Sequence, residues 1–144
     1  MVIGGVTHVV GSDAPRVMRT IETVRTRAPR APAIAVRRVG DVVRISLGAG
    51  SFEGEADVML AQFVERRETD VRRGENRGRR LTNYNIVRDL ARIGGWTGDA
   101  VDIDLDPEEL MGADGRYACA VIVQAPGQGP VMAAATFDMA TLAP

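Results

Sequence analysis

VRRGENRGRRLTNYNIVRDL, residues 71–90, is the stretch whose reading decides the fold of this chain. Its first half crowds Arg, Asn and Gly together, and its second half turns partly apolar without a break. Ile86, Val87, Leu90 and Ile93 are spaced for one face of a helix, with Thr82 as an N-cap and Gly94-Gly95 as a stop. The same letters fit a strand with irregular ends. Both readings of residues 83–93 stand on the letters alone, and the strand-like segments on either side tip the balance toward strand.

Those neighbours alternate apolar and polar residues. IAVRRV (34–39), VVRISLG (42–48), ADVMLAQFV (56–64), AVDIDLD (100–106), ACAVIVQA (118–125) and VMAAATF (131–137) are strand-length segments separated by Gly, Asp or Pro turns. Gly40-Asp41 and PGQGP (126–130) read as hairpin connections. Short strands at this spacing predict an antiparallel β-sandwich over residues 34–144, in which alternate side chains enter the core.

The first part of the chain has a different texture. MVIGGVTHVVG (1–11) reads as two β-branched runs about a Gly4-Gly5 hairpin turn. Ser12 is the expected N-cap of a following helix, with Asp13 and Pro15 suited to its first turn and Val17, Met18, Ile21 and Val24 on one face. APRAPA (28–33) is a stiff connector and the expected boundary, giving a hairpin-and-helix segment over 1–27.

Charge is uneven. The net charge is −1 over 144 residues, yet residues 65–98 carry nine Arg and five acids, while 99–144 carry one Arg and eight acids. All 18 basic residues are Arg, which excludes a lysine Schiff base, a lysine general base and a P-loop lysine. The single cysteine, Cys119, excludes an intrachain disulfide and a CxxC pair. No apolar run reaches membrane-spanning length, and residues 1–20 lack the basic and apolar regions of a signal peptide. Neither a nucleic-acid nor a membrane partner is expected, and no cofactor.

Candidate chemistry is sparse. GENRGRR (74–80) lacks the Gly-Lys-Ser/Thr ending of a phosphate loop. Its arginines, with Tyr84 nearby, could face phosphates, but no nucleic-acid module surrounds them; the preferred reading is a solvated loop paired with the acidic last third. Asp102, Asp104 and Asp106 alternate, so a strand sets all three carboxylates on one face. They are weak metal candidates, because Pro107 and Ala113 break the EF-hand pattern; a polar outer strand face is preferred. His8 lacks triad partners, Cys119 reads as a small buried hydrophobe, and Trp96 as a core plug whose indole N–H needs an acceptor.

Arg73-Gly74-Glu75-Asn76, then Gly78-Arg79, Leu81, Asn85, Val87-Arg88, Trp96 and Gly98 resemble the signature of an uncharacterised bacterial family of secreted, thioredoxin-like proteins, domain of unknown function 1223. MVIGG with Val10-Gly11-Ser12 is similar to that family's segment after its cis-proline. The resemblance implies that residues 1–27 correspond to the last hairpin and helix of a thioredoxin fold, and that the chain starts after the family's Cys-Ser-Ser-Cys motif, through an internal start, a split gene or trimming. It implies a periplasmic or secreted protein, and the uncovered hairpin predicts a homodimer or complementation by an N-terminal fragment. Three functions follow. The first is a non-catalytic module in which the RGEN loop braces the body through Glu75, Asn76, Asn85 and Arg88. The second is the C-terminal part of a thiol-disulfide oxidoreductase that needs a missing N-terminal CxxC portion, and the third a module binding an anionic ligand through the arginine loop.

Overall fold

A computed structural model describes residues 1–27, 31–111 and 118–142. Gly4 and Gly5 take positive φ, 59° and 71°, a backbone that glycine adopts without a Cβ clash. The chain therefore reverses sharply, and β1 (Val2–Ile3) pairs antiparallel with β2 (Thr7–His8). Helix α1 (Ala14–Arg27) follows. Its first turn is capped by Asp13, whose carboxylate accepts from the Arg16 amide at 3.1 Å. The cap is thus Asp13 rather than Ser12. Val17 packs with Ile3, Val9, Ile21 and Val24 in a small apolar cluster, whereas Met18 points to solvent at 65% exposure. The predicted connector falls partly on residues 28–30, which lie outside the described residues.

The rest is mainly antiparallel β structure. β3 (Ile34–Val39), β4 (Val42–Leu47) and β7 (Val101–Leu105) form one sheet in the order β3-β4-β7. β5 (Ala56–Asp70), β6 (Arg80–Trp96), β8 (Ala118–Gln124) and β9 (Val131–Asp138) form a second in the order β6-β5-β8-β9. Residues 83–93 are strand throughout. A one-turn helix, α2 (Pro107–Leu110), follows β7.

Alternation sends Val43, Ile45 and Leu47 of β4, Val58 and Leu60 of β5, and Cys119, Val121 and Val123 of β8 into one shared core. Leu110 of α2 is also buried there. Trp96 closes its end: the indole is 1% exposed, its Nε1–H donates to the Gly48 carbonyl at 3.2 Å, and its ring stacks on Phe52 with centroids 6.5 Å apart. The two sheets differ on their other faces. Arg44, Ser46, Asp102 and Asp104 share the outer face of the three-stranded sheet, as their register requires. On the outer face of the four-stranded sheet, register aligns Met59, Ala61 and Phe63 with Leu90, Val87, Ala120 and Ile122.

β5 runs past the sheet that contains it. Residues Asp57–Phe63 pair with β8 on one side and β6 on the other, but Val64–Asp70 pair with β6 alone. The strand predicted over 56–64 is therefore longer by six residues, and β5 with β6 continues outward as a two-stranded arm. A register shift marks the root: Gln62 pairs with Asp89 and Phe63 with Val87, leaving Arg88 as the extra residue of a bulge. Asn85, close by, has φ 50°, a left-handed value that Asn tolerates better than most residues.

Candidate functional site: an arginine-tipped arm

The stretch that opened the sequence analysis forms the end of this arm. From Phe63 to Asp70 the ribbon advances about 23 Å at roughly 3.3 Å per residue. Every residue from Arg72 to Asn85 is exposed. The tip is held by its own backbone: the Val71 amide donates to the Arg79 carbonyl at 2.9 Å, and the Gly78 amide to the Val71 carbonyl at 2.8 Å. Two turns are nested inside. Arg77 N–H donates to Gly74 O and Arg79 N–H to Asn76 O, both at 3.0 Å, while Gly74 and Gly78 take φ 85° and 82°. These glycines are where the loop reverses.

Among the described residues, the side chains of Arg73, Glu75, Asn76, Arg79, Asn85 and Arg88 make no hydrogen bond or ion pair with the body. The loop stands seven residue steps beyond the sheet, too far for short side chains to reach back. Asn85 and Arg88 act through backbone shape at the root, and Trp96 belongs to the core.

Among the described residues, the arm carries ion pairs on one face of its shaft and none at its tip. On one ribbon face Arg66 meets Glu68 at 2.5 Å, Arg80 reaches Glu68 at 3.6 Å, and Arg80 Nε donates to Asp70 at 3.1 Å. Four charges thus satisfy one another. Arg72, Arg73, Arg77 and Arg79 have no ion-pair partner among the described residues, and Glu75 is the one acid among residues 71–79. Unpaired guanidinium groups with five donors each suit carboxylate or phosphate oxygens. The sequence reading pairs these arginines with the acidic last third; among the described residues they form no such pair, and the arm holds them beyond the sheet.

Other candidates resolve differently. Asp104 is held by Arg44 in a bidentate pair, Nε to Oδ1 at 2.7 Å and Nη2 to Oδ2 at 2.6 Å, with Asp102 at 3.9 Å. That hydrogen bond holds the Asp104 carboxyl below its ordinary value and the Arg44 guanidinium above its own. Asp106 leaves the group, since its carboxylate caps α2 by accepting from the Glu108 amide at 2.8 Å. The three carboxylates therefore form no joint metal site, and the described residues contain no cluster of three metal-ligating side chains. His8 is exposed on β2. Cys119 is fully buried, and its burial, with Asp138 adding, pushes the thiol up to about 11. Tyr117, two positions before Cys119 and so on the same face of an alternating strand, lies outside the described residues.

Two clefts escaped the sequence reading, because neither has a motif. One, of about 440 Å³, lies between the first hairpin and α1, with Val6, Val24, Arg16 and Arg19 among its lining residues. The other, of about 510 Å³, lies on the outer face of the four-stranded sheet beside Met59, Leu90 and Ile122. Neither gathers convergent polar groups around a nucleophile.

No curated protein matches the chain in sequence. Among solved structures, the crystal structure of a protein from Agrobacterium tumefaciens is similar over 93% of this chain, with a TM-score of 0.74 and 22% identity. This chain spans 58% of that protein's length, and the likeness is one of fold. A family model described as "Protein of unknown function (DUF1223)" matches residues 1–124, which carry both the first hairpin and the whole arm, and the chain belongs to that family.

Proposed function

We propose that this chain is a non-catalytic binding module that engages an anionic partner through the tip of its arm. The observation that carries the reading is the placement of Arg72, Arg73, Arg77 and Arg79, exposed and without ion-pair partners among the described residues, at the end of a ribbon projecting from the body. Charges on a well-packed body are normally interspersed; here Glu68 and Asp70 of the shaft are paired with Arg66 and Arg80, and the tip itself carries four arginines and one acid. The module sits, in this reading, within an exported protein with a thioredoxin-like part, as the family resemblance implies. The thiol-oxidoreductase alternative would draw its thiols from an N-terminal portion and not from Cys119, whose buried thiol is raised to about 11.

Titration with polyglutamate as the anionic probe tests it. Binding is expected at low ionic strength, with loss of at least tenfold in affinity when Arg73, Arg77 and Arg79 are replaced by Ala and the circular dichroism spectrum is unchanged. Equal affinity in the wild type and the triple variant would remove the tip from the reading.

A further inference from the structure

The arm that carries the arginines also faces a definite side of the molecule. Gln62, Val64 and Arg66 share one face of β5 by alternation. The Gln62 amide donates to the Glu109 carbonyl at 2.5 Å, so α2 lies on that face at the root of the arm. Arg66 pairs with Tyr84 across the ribbon, which sets Tyr84 on the same face. Tyr84 is 66% exposed, a large amphipathic ring without cover.

α2 and the strand before it are the acidic counterpart of the tip. Residues 99–111 hold six acids and no arginine. Asp102 and Asp104 are engaged by Arg44, but Asp106, Glu108 and Glu109 are exposed and have no cation partner among the described residues. A tip about 23 Å from the root cannot reach the α2 of its own chain. It can reach the α2 of another.

Building on the binding reading, we propose that the anionic partner of the arm tip is a second copy of this chain. Two arms lie antiparallel, Tyr84 face to Tyr84 face, and each delivers its arginines to Glu108 and Glu109 of the other copy. The contact is isologous, so each surface is used once in each chain and the assembly closes as a dimer. Two ribbons about 23 Å by 10 Å plus two tip contacts bury less than the ~1,600 Å² of a standard interface. The dimer is therefore weak and depends on charge, forming at high protein concentration and low salt.

Sedimentation equilibrium of the full chain tests this, with charge reversal in two places. A dimer is expected at about 20 mM salt that dissociates at about 0.5 M, where screening lengths fall to a few ångströms. Arg73→Glu/Arg77→Glu/Arg79→Glu and Glu108→Arg/Glu109→Arg should each be monomeric alone and should form a heterodimer when mixed. Should a reversed chain fail to fold, Arg77→Gln/Arg79→Gln should weaken the wild-type dimer at least fivefold at low salt. A chain that stays monomeric at low salt and about 0.5 mM, or a dimer indifferent to these changes, overturns the proposal. If the monomer still binds polyglutamate through its tip, self-association falls while the binding function stands; if it does neither, both fall.

Discussion

Cys119 faces inward from β8, with Gln62 opposite it on β5 and Phe137 on β9. Its thiol is pushed from 9.0 to about 11, first by burial and then by Asp138. The sign of the consequence follows from proton counting. Between these two values the unfolded chain releases a proton that the folded chain keeps, so stability falls as pH rises through the window. Full loss across it amounts to about 3 kcal/mol. Urea unfolding of the wild type between pH 8.5 and 10.5 should show a steeper decline than Cys119→Ala, whose absolute stability is lower for lack of the buried sulfur. Parallel slopes would contradict the burial of the thiol. At this scale much was legible beforehand. Cys119 as a buried hydrophobe, Trp96 as a plug seeking an acceptor, and Asp102 and Asp104 on an outer face all follow from alternation and polar-group satisfaction. Asp13 instead of Ser12 as the cap was not, because adjacent residues with the same capping chemistry differ only in backbone angles that letters do not record.

Among the elements, β6 shows why one segment resisted reading. A regular strand repeats apolar residues every second position, but β6 carries extra residues at Arg88 and Ile93, where its register against β5 shifts. Each bulge converts a spacing of two into three, and Ile86, Val87, Leu90 and Ile93 consequently imitate a helical face. The arm itself was hidden for another reason: alternation stops at Val64 in β5, and a segment without a buried face leaves no pattern to recognise. The same fact predicts its energetics. With both faces wet, the ribbon beyond Val64 contributes little to the core, so replacing residues 67–83 by an Asn-Gly turn should shift the melting temperature by no more than a few degrees. Amide exchange along Glu68–Asp70 should be much faster than along Val58–Gln62, which β8 covers. A shortened chain that unfolds, or uniform protection along β5, would show that the arm is part of the folded core.

Taken whole, the molecule is a β body with two appendages of unequal attachment. The arm continues strands of the body. The hairpin and α1 have their own small apolar cluster and touch the body where the Val131 amide donates to the Gly4 carbonyl at 3.0 Å. A Cβ on Gly5 would lie 2.9 Å from the Gly129 carbonyl oxygen, at a backbone φ that favours glycine. Gly5→Ala should therefore loosen residues 1–27 while sparing the body. The expected readout is faster amide exchange and proteolysis confined to α1, with Trp96 fluorescence unchanged; global unfolding in one step would instead make the two parts one cooperative unit.

The bulge at Arg88 absorbs one residue of β6 that β5 does not match. Gln62 and Phe63 already pair with Asp89 and Val87, so removing Arg88 would close the ladder into a regular one and leave Tyr84 opposite Arg66, on the side of α2. What would change is the direction: a bulge bends its strand and adds twist, so the ribbon would leave the sheet at a different angle with the same face presented. Where this molecule points its most basic segment is thus tuned by one surplus residue at the root rather than by what that segment is made of.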